Sequence, residues 1–140
     1  MEILITSHGG LCTGILESYE MLAGQPVGIT ALPLNQTDTG EYQQRLSQIM
    51  ETKHEDGLLI LCDIVAGTPY NESFKGFLRY PDDIRVVSGL NLAMLLEAGL
   101  ALNSVSNLED LANLAQAAAI ASVVQPDTNE TEGEDTEIDF

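Results

Sequence analysis

The sequence predicts an α/β fold, an open parallel sheet of four strands with helices on both faces. Its 140 residues suit one compact domain with a single core. Hydrophobic residues make up 44% of the chain but aromatic residues only 5%, with no tryptophan, so that core must be aliphatic. Short apolar runs alternate with longer segments of helical period, and this alternation is typical of parallel strands joined by helical crossovers.

The first predicted strand covers residues 3–7, a nearly continuous apolar run of the kind expected for a strand buried on both faces. It ends at His8-Gly9-Gly10, which places the histidine at the carboxyl end of the strand. A helix is predicted from about Thr13 to Leu22, because apolar residues recur there at helical spacing and Gly24 follows as a stop signal.

The second strand is predicted over residues 27–32. Asp38 and Glu41 have the spacing of a capping box and predict the start of a helix that runs to about Lys53. The third strand, over residues 57–63, follows this helix.

Residues 63–69 are predicted to form a turn that leads from the third strand into a third helix. Thr68 is predicted to be its N-cap and Pro69 its first helical residue, where the missing N–H is tolerated. We expect the buried side of this helix to consist of Phe74, Phe77 and Leu78.

The fourth strand is predicted over residues 84–88, followed by a tight connection at residues 89–91. A fourth helix should then run from Leu92 to near Gly99. Ser106 and Glu109 repeat the capping-box spacing before a last, alanine-rich helix.

The C-terminal segment differs in composition from the rest of the chain. Residues 1–125 are predicted to be the folded domain, and residues 126–140 a disordered acidic tail, because they have no periodicity and too few apolar residues to offset the entropy of ordering. The acidic residues of this tail are Asp127, Glu130, Glu132, Glu134, Asp135, Glu137 and Asp139.

Charge and cysteine content exclude several classes of function. The net charge is −17, with only five basic residues, so no basic surface is available for nucleic acid, and protein partners should present basic patches. The apolar N-terminus is too short for a signal peptide or a membrane span. Cys12 and Cys62 have no CxxC spacing, are best interpreted as small core residues, and suit a reducing cytoplasm.

The candidate site lies where polar loops follow the strands, since ligands of open parallel sheets bind beyond the carboxyl ends of the strands. These loops cover residues 8–10, 63–68 and 88–91. Neutral imidazole is a nucleophile when one ring nitrogen is held protonated, and Asp63 can do this for His8. The N–H groups at Gly67 and Thr68, at a helix start, form an anion site.

Each of these residues also has a simpler structural interpretation. His8 alone could be a polar loop residue, and Asp63 could close its strand as a turn residue. Gly67 and Thr68 could serve helix capping alone. The coincidence of the three features at one edge of the sheet favours a site.

Three sequence blocks occur in order along the chain: Ile5-Thr6-Ser7-His8-Gly9-Gly10, Leu61-Cys62-Asp63 with Gly67-Thr68-Pro69-Tyr70-Asn71, and residues 89–97, Gly-Leu-Asn-Leu-Ala-Met-Leu-Leu-Glu. Together they resemble the mannose/fructose/sorbose family of phosphotransferase system enzyme IIA domains, over about residues 1–124. Ala66 and Ala93 depart from the pattern, where the family usually has glycine and proline, but neither change removes a reactive side chain.

The resemblance implies a phosphoryl carrier with no cofactor and no metal, working in the cytoplasm. His8 would accept the phosphoryl group on Nε2 from the histidine-containing phosphocarrier protein, with Asp63 orienting the ring through Nδ1. The phosphoryl ligands would be Gly9, Gly67 and Thr68. The group would pass to a separate enzyme IIB and its membrane permease complex, with no insertion of this chain into the membrane.

The resemblance also implies a homodimer that exchanges a fifth, C-terminal strand, for which residues 121–125 are the only candidate. The sugar is not encoded here, because this component never touches it.

Alternative functions are the subunit that supplies a dihydroxyacetone kinase, and a regulator whose phosphorylation state is sensed by a partner. A tetrapyrrole chelatase would need a second metal-binding histidine, and His54 is expected on the opposite side; a histidine phosphatase would need arginines near His8.

Overall fold

The computed structural model describes residues 1–128. The predicted disorder of the acidic tail therefore lies almost entirely outside the described residues. Within them, the chain forms the expected sheet of four parallel strands, and its spatial order is β2-β1-β3-β4. The strands are β1 (Glu2–His8), β2 (Ile29–Leu34), β3 (Leu58–Cys62) and β4 (Ile84–Ser88).

Helices cover both faces of the sheet, as predicted. A short 3-10 turn, His54–Asp56, connects the second helix to β3. The helices are α1 (Leu11–Ala23), α2 (Thr39–Lys53), α3 (Thr68–Arg79), α4 (Leu92–Ala101) and α5 (Leu108–Ala121).

The sheet separates two aliphatic cores, one on each face, so the prediction of a single core is wrong. Alternate strand residues point to opposite faces, so Ile3 and Ile5 pack with α1, α4 and α5, whereas Leu4 and Ile60 pack with α2 and α3. Central strands β1 and β3 are buried on both sides, which explains their continuous apolar sequences.

The first two strands differ slightly from the prediction. Strand β1 extends through His8, so this residue is the last of the strand rather than the first of the loop. Strand β2 begins at Ile29, not at residue 27, because a turn precedes it: the Ile29 amide donates to the Pro26 carbonyl, Gly28 adopts a φ of 79°, and Val27 is exposed.

The predicted helix caps are partly wrong. Gly67 is the N-cap of α3, so Thr68 is its first helical residue and Pro69 its second. The N-cap of α5 is Asn107, whose side chain accepts the Asp110 amide at 2.8 Å, rather than Ser106. At α2, Asp38 holds the N-cap position as predicted, but its side chain makes no capping hydrogen bond.

The predicted buried face of α3 is partly wrong. Phe77 is partly buried and packs against the core, as predicted. Phe74 and Leu78, however, are 40% and 61% exposed, and the fully buried residues are Pro69, Ser73 and Gly76. The reason is close packing, because a Cβ added at Gly76 would overlap the Met50 sulfur of α2.

The cysteines are core residues, as predicted. Both are fully buried and free. Cys12 belongs to the core beneath α1, and Cys62 to the core beneath α2 and α3, so the sheet separates the two thiols.

Candidate active site

The site lies at the carboxyl ends of β1 and β3, which are neighbours in the sheet. The chain leaves β1 to form β2 on one side, and β3 and β4 lie on the other, so the connections diverge between β1 and β3. A crevice forms at such a switch point in open α/β sheets. His8, at the end of β1, and Asp63, directly after β3, are brought together there.

Asp63 holds His8 by both its ring and its backbone. One carboxylate oxygen, Oδ2, lies 2.8 Å from His8 Nδ1 and accepts the His8 backbone N–H at 2.9 Å. The other oxygen, Oδ1, accepts the Ile64 backbone N–H at 3.0 Å. Because the carboxylate acts as the acceptor in all these contacts, Nδ1 carries a proton, and in the neutral imidazole Nε2 then presents its lone pair.

The carboxylate remains ionised despite its partial burial. Burial by itself raises the pKa of Asp63, but the hydrogen bonds from the His8 backbone, the His8 ring and the Ile64 backbone outweigh it and hold the pKa below its ordinary value. The Asp63 side chain is 9% exposed and the His8 side chain 46%. The site therefore combines a sheltered anion with an accessible imidazole.

Gly67 lies against the reactive side of the ring. Its φ is +92°, and an added Cβ would lie 2.6 Å from His8 Nε2 and 2.8 Å from Cε1. Glycine is thus required both by the backbone conformation and by the proximity of the ring. Any side chain at this position would collide with the Nε2 side of the ring.

The start of α3 supplies hydrogen-bond donors beside this space. Within residues 1–128, the amides of Gly67, Thr68 and Tyr70 donate to no backbone carbonyl, as expected for the first turn of a helix. The Thr68 hydroxyl is likewise free of protein partners in this part of the chain. Unpaired donors and the positive end of the helix dipole together favour an anion.

Two of the sequence-predicted positions do not contribute as expected. The Gly9 amide already donates to the Leu34 carbonyl at 2.7 Å, so this amide is not free for a phosphoryl group, although Gly9 adjoins His8. The loop of residues 88–91 has a structural role: the Asn91 side chain caps α4 by accepting the Met94 amide at 2.9 Å. Its amide nitrogen also reaches Ser122 at the end of α5.

Ser7 is a supporting residue that the sequence analysis did not identify. Its buried hydroxyl donates to the Gly9 carbonyl and accepts the Cys12 amide, each at 2.9 Å, and thus connects the turn after His8 to the start of α1. A serine two residues before glycine is a common turn signal and could have suggested this role.

A second histidine and aspartate pair lies at the opposite end of the sheet, where His54 was expected. His54 Nδ1 is 2.7 Å from Asp83 Oδ2, and the ring stacks on Tyr80 at 3.8 Å, with only 16% of the side chain exposed. The helix that begins at His54 is a 3-10 turn of three residues. Among the described residues, no group of three or more histidine, cysteine or acidic side chains could hold a metal.

Comparisons with known proteins identify the family of this chain. The family described as the fructose IIA component of the phosphotransferase system matches residues 2–116. The chain belongs to this mannose/fructose/sorbose family of IIA components. Such IIA components are phosphotransferase components of a sugar-uptake system, and the match favours this role over a dihydroxyacetone kinase subunit or a purely regulatory protein.

Individual relatives share about a third of their residues with this chain over most of its length. The fructose-specific EIIA component of Bacillus subtilis is 34% identical over 118 residues, covering 81% of this chain and 77% of that protein. The mannose-specific EIIAB component of Escherichia coli is 30% identical over 120 residues, covering 82% of this chain but 36% of that longer protein. The mannose/sorbose-specific IIA subunit of Enterococcus faecalis superimposes with a TM-score of 0.80 at 30% identity, covering 94% and 98% of the two chains.

No helix formed by residues 1–128 is both long enough and apolar enough to cross a lipid bilayer. The longest, α2, has 15 residues, and its sequence is polar over much of its surface.

Proposed function

We propose that this IIA domain carries a phosphoryl group on Nε2 of His8, taken from a histidine-containing phosphocarrier protein and delivered to a separate enzyme IIB in the cytoplasm. The observation that carries the proposal is the 2.8 Å contact between His8 Nδ1 and Asp63 Oδ2, which leaves Nε2 as the free nitrogen. Nε2 also faces the start of α3, whose Gly67 and Thr68 amides donate to no backbone carbonyl within residues 1–128.

The proposed transfer is an in-line displacement at phosphorus. The bond from phosphorus to the donor histidine breaks as the bond to Nε2 forms, and the Nδ1 proton stays in place. Positive charge that develops on the ring is stabilised by the Asp63 carboxylate, while the Thr68 hydroxyl and the α3 amides bind the phosphoryl oxygens. The reverse displacement, with a histidine of enzyme IIB as nucleophile, returns His8 to its starting state.

The net charge of −17 supports basic partners for both steps. Complementary charge accelerates encounter between proteins and makes the association rate sensitive to salt. Delivery to a separate enzyme IIB is supported by the similarity to the Bacillus subtilis protein, which is named as an EIIA component alone.

A homodimer is part of the proposal. Strand β4 is at an open edge of the sheet, and a groove of about 380 Å³ between α3, β4 and α5 lies beside it, lined in part by Tyr70, Val86 and Ile120. Val123 and Val124, just after α5, are 82% and 81% exposed. Residues 122–125 of a second copy are suited to cover this edge; residue 121 itself belongs to α5.

The relay is tested by incubating the protein with phosphoenolpyruvate, enzyme I and the phosphocarrier and mapping acid-labile phosphate. We expect label on the wild type, none on His8→Ala, and full label on the matched control His54→Ala. An unlabelled wild type, or label retained by His8→Ala, would refute the proposal. Light scattering of Val123→Asp/Val124→Asp tests the dimer, which should become monomeric.

A further inference from the structure

Three polar side chains are fully buried within residues 1–128, and all are hydroxyls near the site: Thr6, Ser7 and Ser73. Buried polar groups destabilise a fold unless they are hydrogen-bonded, so the partners of these three hydroxyls indicate what each one does. Thr6 bonds to the Leu32 carbonyl and to Tyr42, and Ser7 shapes the turn after His8. Ser73 lies on α3, the helix whose first turn, from Thr68, carries the proposed phosphoryl-binding groups.

The Ser73 hydroxyl joins a cluster that spans the site loop. It donates to the Pro69 carbonyl at 2.7 Å, one turn earlier in α3. The Cys62 sulfur lies 3.6 Å from Ser73 Oγ and 3.7 Å from the same carbonyl. Since a carbonyl can only accept, the thiol is a donor in this cluster. Burial raises the pKa of Cys62 to about 12, which keeps the proton on the sulfur at neutral pH.

The position of this cluster along the chain gives it a consequence for the site. Cys62 directly precedes Asp63, and Pro69 directly follows Thr68. The hydrogen bonds therefore connect the two ends of the loop 63–68, which carries the orienting carboxylate, the glycine against Nε2 and the phosphoryl donors. A change in the spacing of these ends moves the donors relative to the ring.

We propose that Cys62 and Ser73 are positioning residues for phosphoryl transfer, forming a clasp that holds the first turn of α3 against the His8 ring. The inference rests on the proposed relay through His8. The clasp touches neither the ring nor the phosphoryl group, and it acts through the placement of Gly67 and Thr68. Small displacements of reacting groups have large kinetic effects, so the clasp should influence the rate of transfer more than the affinity for the partner.

Cys62→Ala and Ser73→Ala test the clasp, and Cys12→Ala is the matched control. Cys12 is equally buried, but among the described residues its sulfur has no hydrogen-bond partner. Initial rates of phosphorylation are measured against phosphocarrier concentration. We expect kcat to fall about tenfold in both clasp variants, with KM changed less than about twofold, and Cys12→Ala to stay within about twofold of wild type. The double variant should be no slower than Cys62→Ala, because loss of the thiol already removes both contacts between Cys62 and α3.

Two further measurements separate positioning from simple loss of packing. Cys62→Ser retains a donor and should recover most of the lost rate, although it loses stability in a buried position. The backbone amide resonances of Gly67 and Thr68 should shift in Cys62→Ala and not in Cys12→Ala. Melting temperatures identify any variant that fails to fold, in which case the remaining clasp variant is used.

The outcomes distinguish this inference from the relay itself. A wild type without label on His8 refutes the relay. A labelled wild type with Cys62→Ala and Ser73→Ala as fast as Cys12→Ala refutes the clasp and leaves the relay standing. Cys62→Ser as slow as Cys62→Ala also refutes the clasp, because the donor would then be irrelevant.

Discussion

Replacement of Gly67 by alanine tests the geometry of the site most directly. The new Cβ would lie 2.6 Å from His8 Nε2, whereas ordinary carbon contacts begin near 3.4 Å. The ring must therefore retreat by about 1 Å, and a displacement of that size can reduce a transfer rate about 100-fold. The movement would also disturb the bond from Nδ1 to Asp63, and the Cβ would lie beside Nε2, where the proposed relay binds the phosphoryl group.

Backbone strain must be separated from this steric effect. An alanine with a φ near +90° is strained by about 1–3 kcal/mol wherever it occurs. Gly89 provides the matched control, since its φ is +89° and an added Cβ would meet nothing within 4 Å. Gly67→Ala and Gly89→Ala should thus lose similar amounts of unfolding free energy.

Transfer from the phosphocarrier, followed by rapid quenching, is the assay. We expect Gly89→Ala to transfer within about threefold of wild type and Gly67→Ala to be slower by about 100-fold or more. Transfer by Gly67→Ala within tenfold of Gly89→Ala would show that the space beside Nε2 is not where the phosphoryl group binds.

Three further substitutions probe the orientation of His8 and the stability of the fold. Asp63→Asn should slow transfer by about 100-fold or more in the same assay, because an amide can hold the wrong tautomer of the ring. The substitution should also make the stability of the fold less sensitive to acid. Folding lowers the pKa of Asp63, so the ionised carboxylate stabilises the fold fully above its unfolded pKa of about 3.9, and this stabilisation is lost as the pH falls through the lower folded pKa. The melting temperatures of the wild type and Asp63→Asn should therefore converge at low pH. His54→Ala should lower the free energy of unfolding, measured in urea, by about 1–3 kcal/mol, because Asp83 loses its hydrogen-bond partner and the Tyr80 ring its stacking partner. The rate of transfer should be unchanged. Tyr42→Phe should lower the free energy of unfolding by only about 1 kcal/mol, because the Thr6 hydroxyl keeps its bond to the Leu32 carbonyl of β2. No measurable loss would mean that the 2.7 Å bond between the Tyr42 and Thr6 hydroxyls contributes nothing to stability.

Much of the fold follows from local sequence patterns. The central strands are buried on both faces, so they appear as uninterrupted apolar runs, and the residues at their carboxyl ends are identified without knowledge of strand order. Parallel strands place those ends at one edge, which was sufficient to associate His8 with Asp63. The order β2-β1-β3-β4 could not be derived in this way, because strand pairing is non-local.

The errors arose where tertiary packing overrides local pattern. Phe74 and Leu78 have the spacing of a buried face, but the close approach of α2 at Gly76 leaves room only for small residues. Thr68 is a good N-cap by residue type, yet the proximity of His8 requires the N-cap itself to be glycine. Cys62 and Ser73 carry no signal in sequence, because their contact exists only after α3 packs on the sheet.

The double attachment of His8 to Asp63 limits how the two partners can use this protein. A ring fixed at Nδ1 and at its own backbone amide cannot swing between two docking places, and Gly67 closes one side of Nε2. In the proposed relay, donor and recipient therefore approach Nε2 from the same direction and exclude one another. An excess of spent phosphocarrier should then act as a competitive inhibitor of delivery to enzyme IIB.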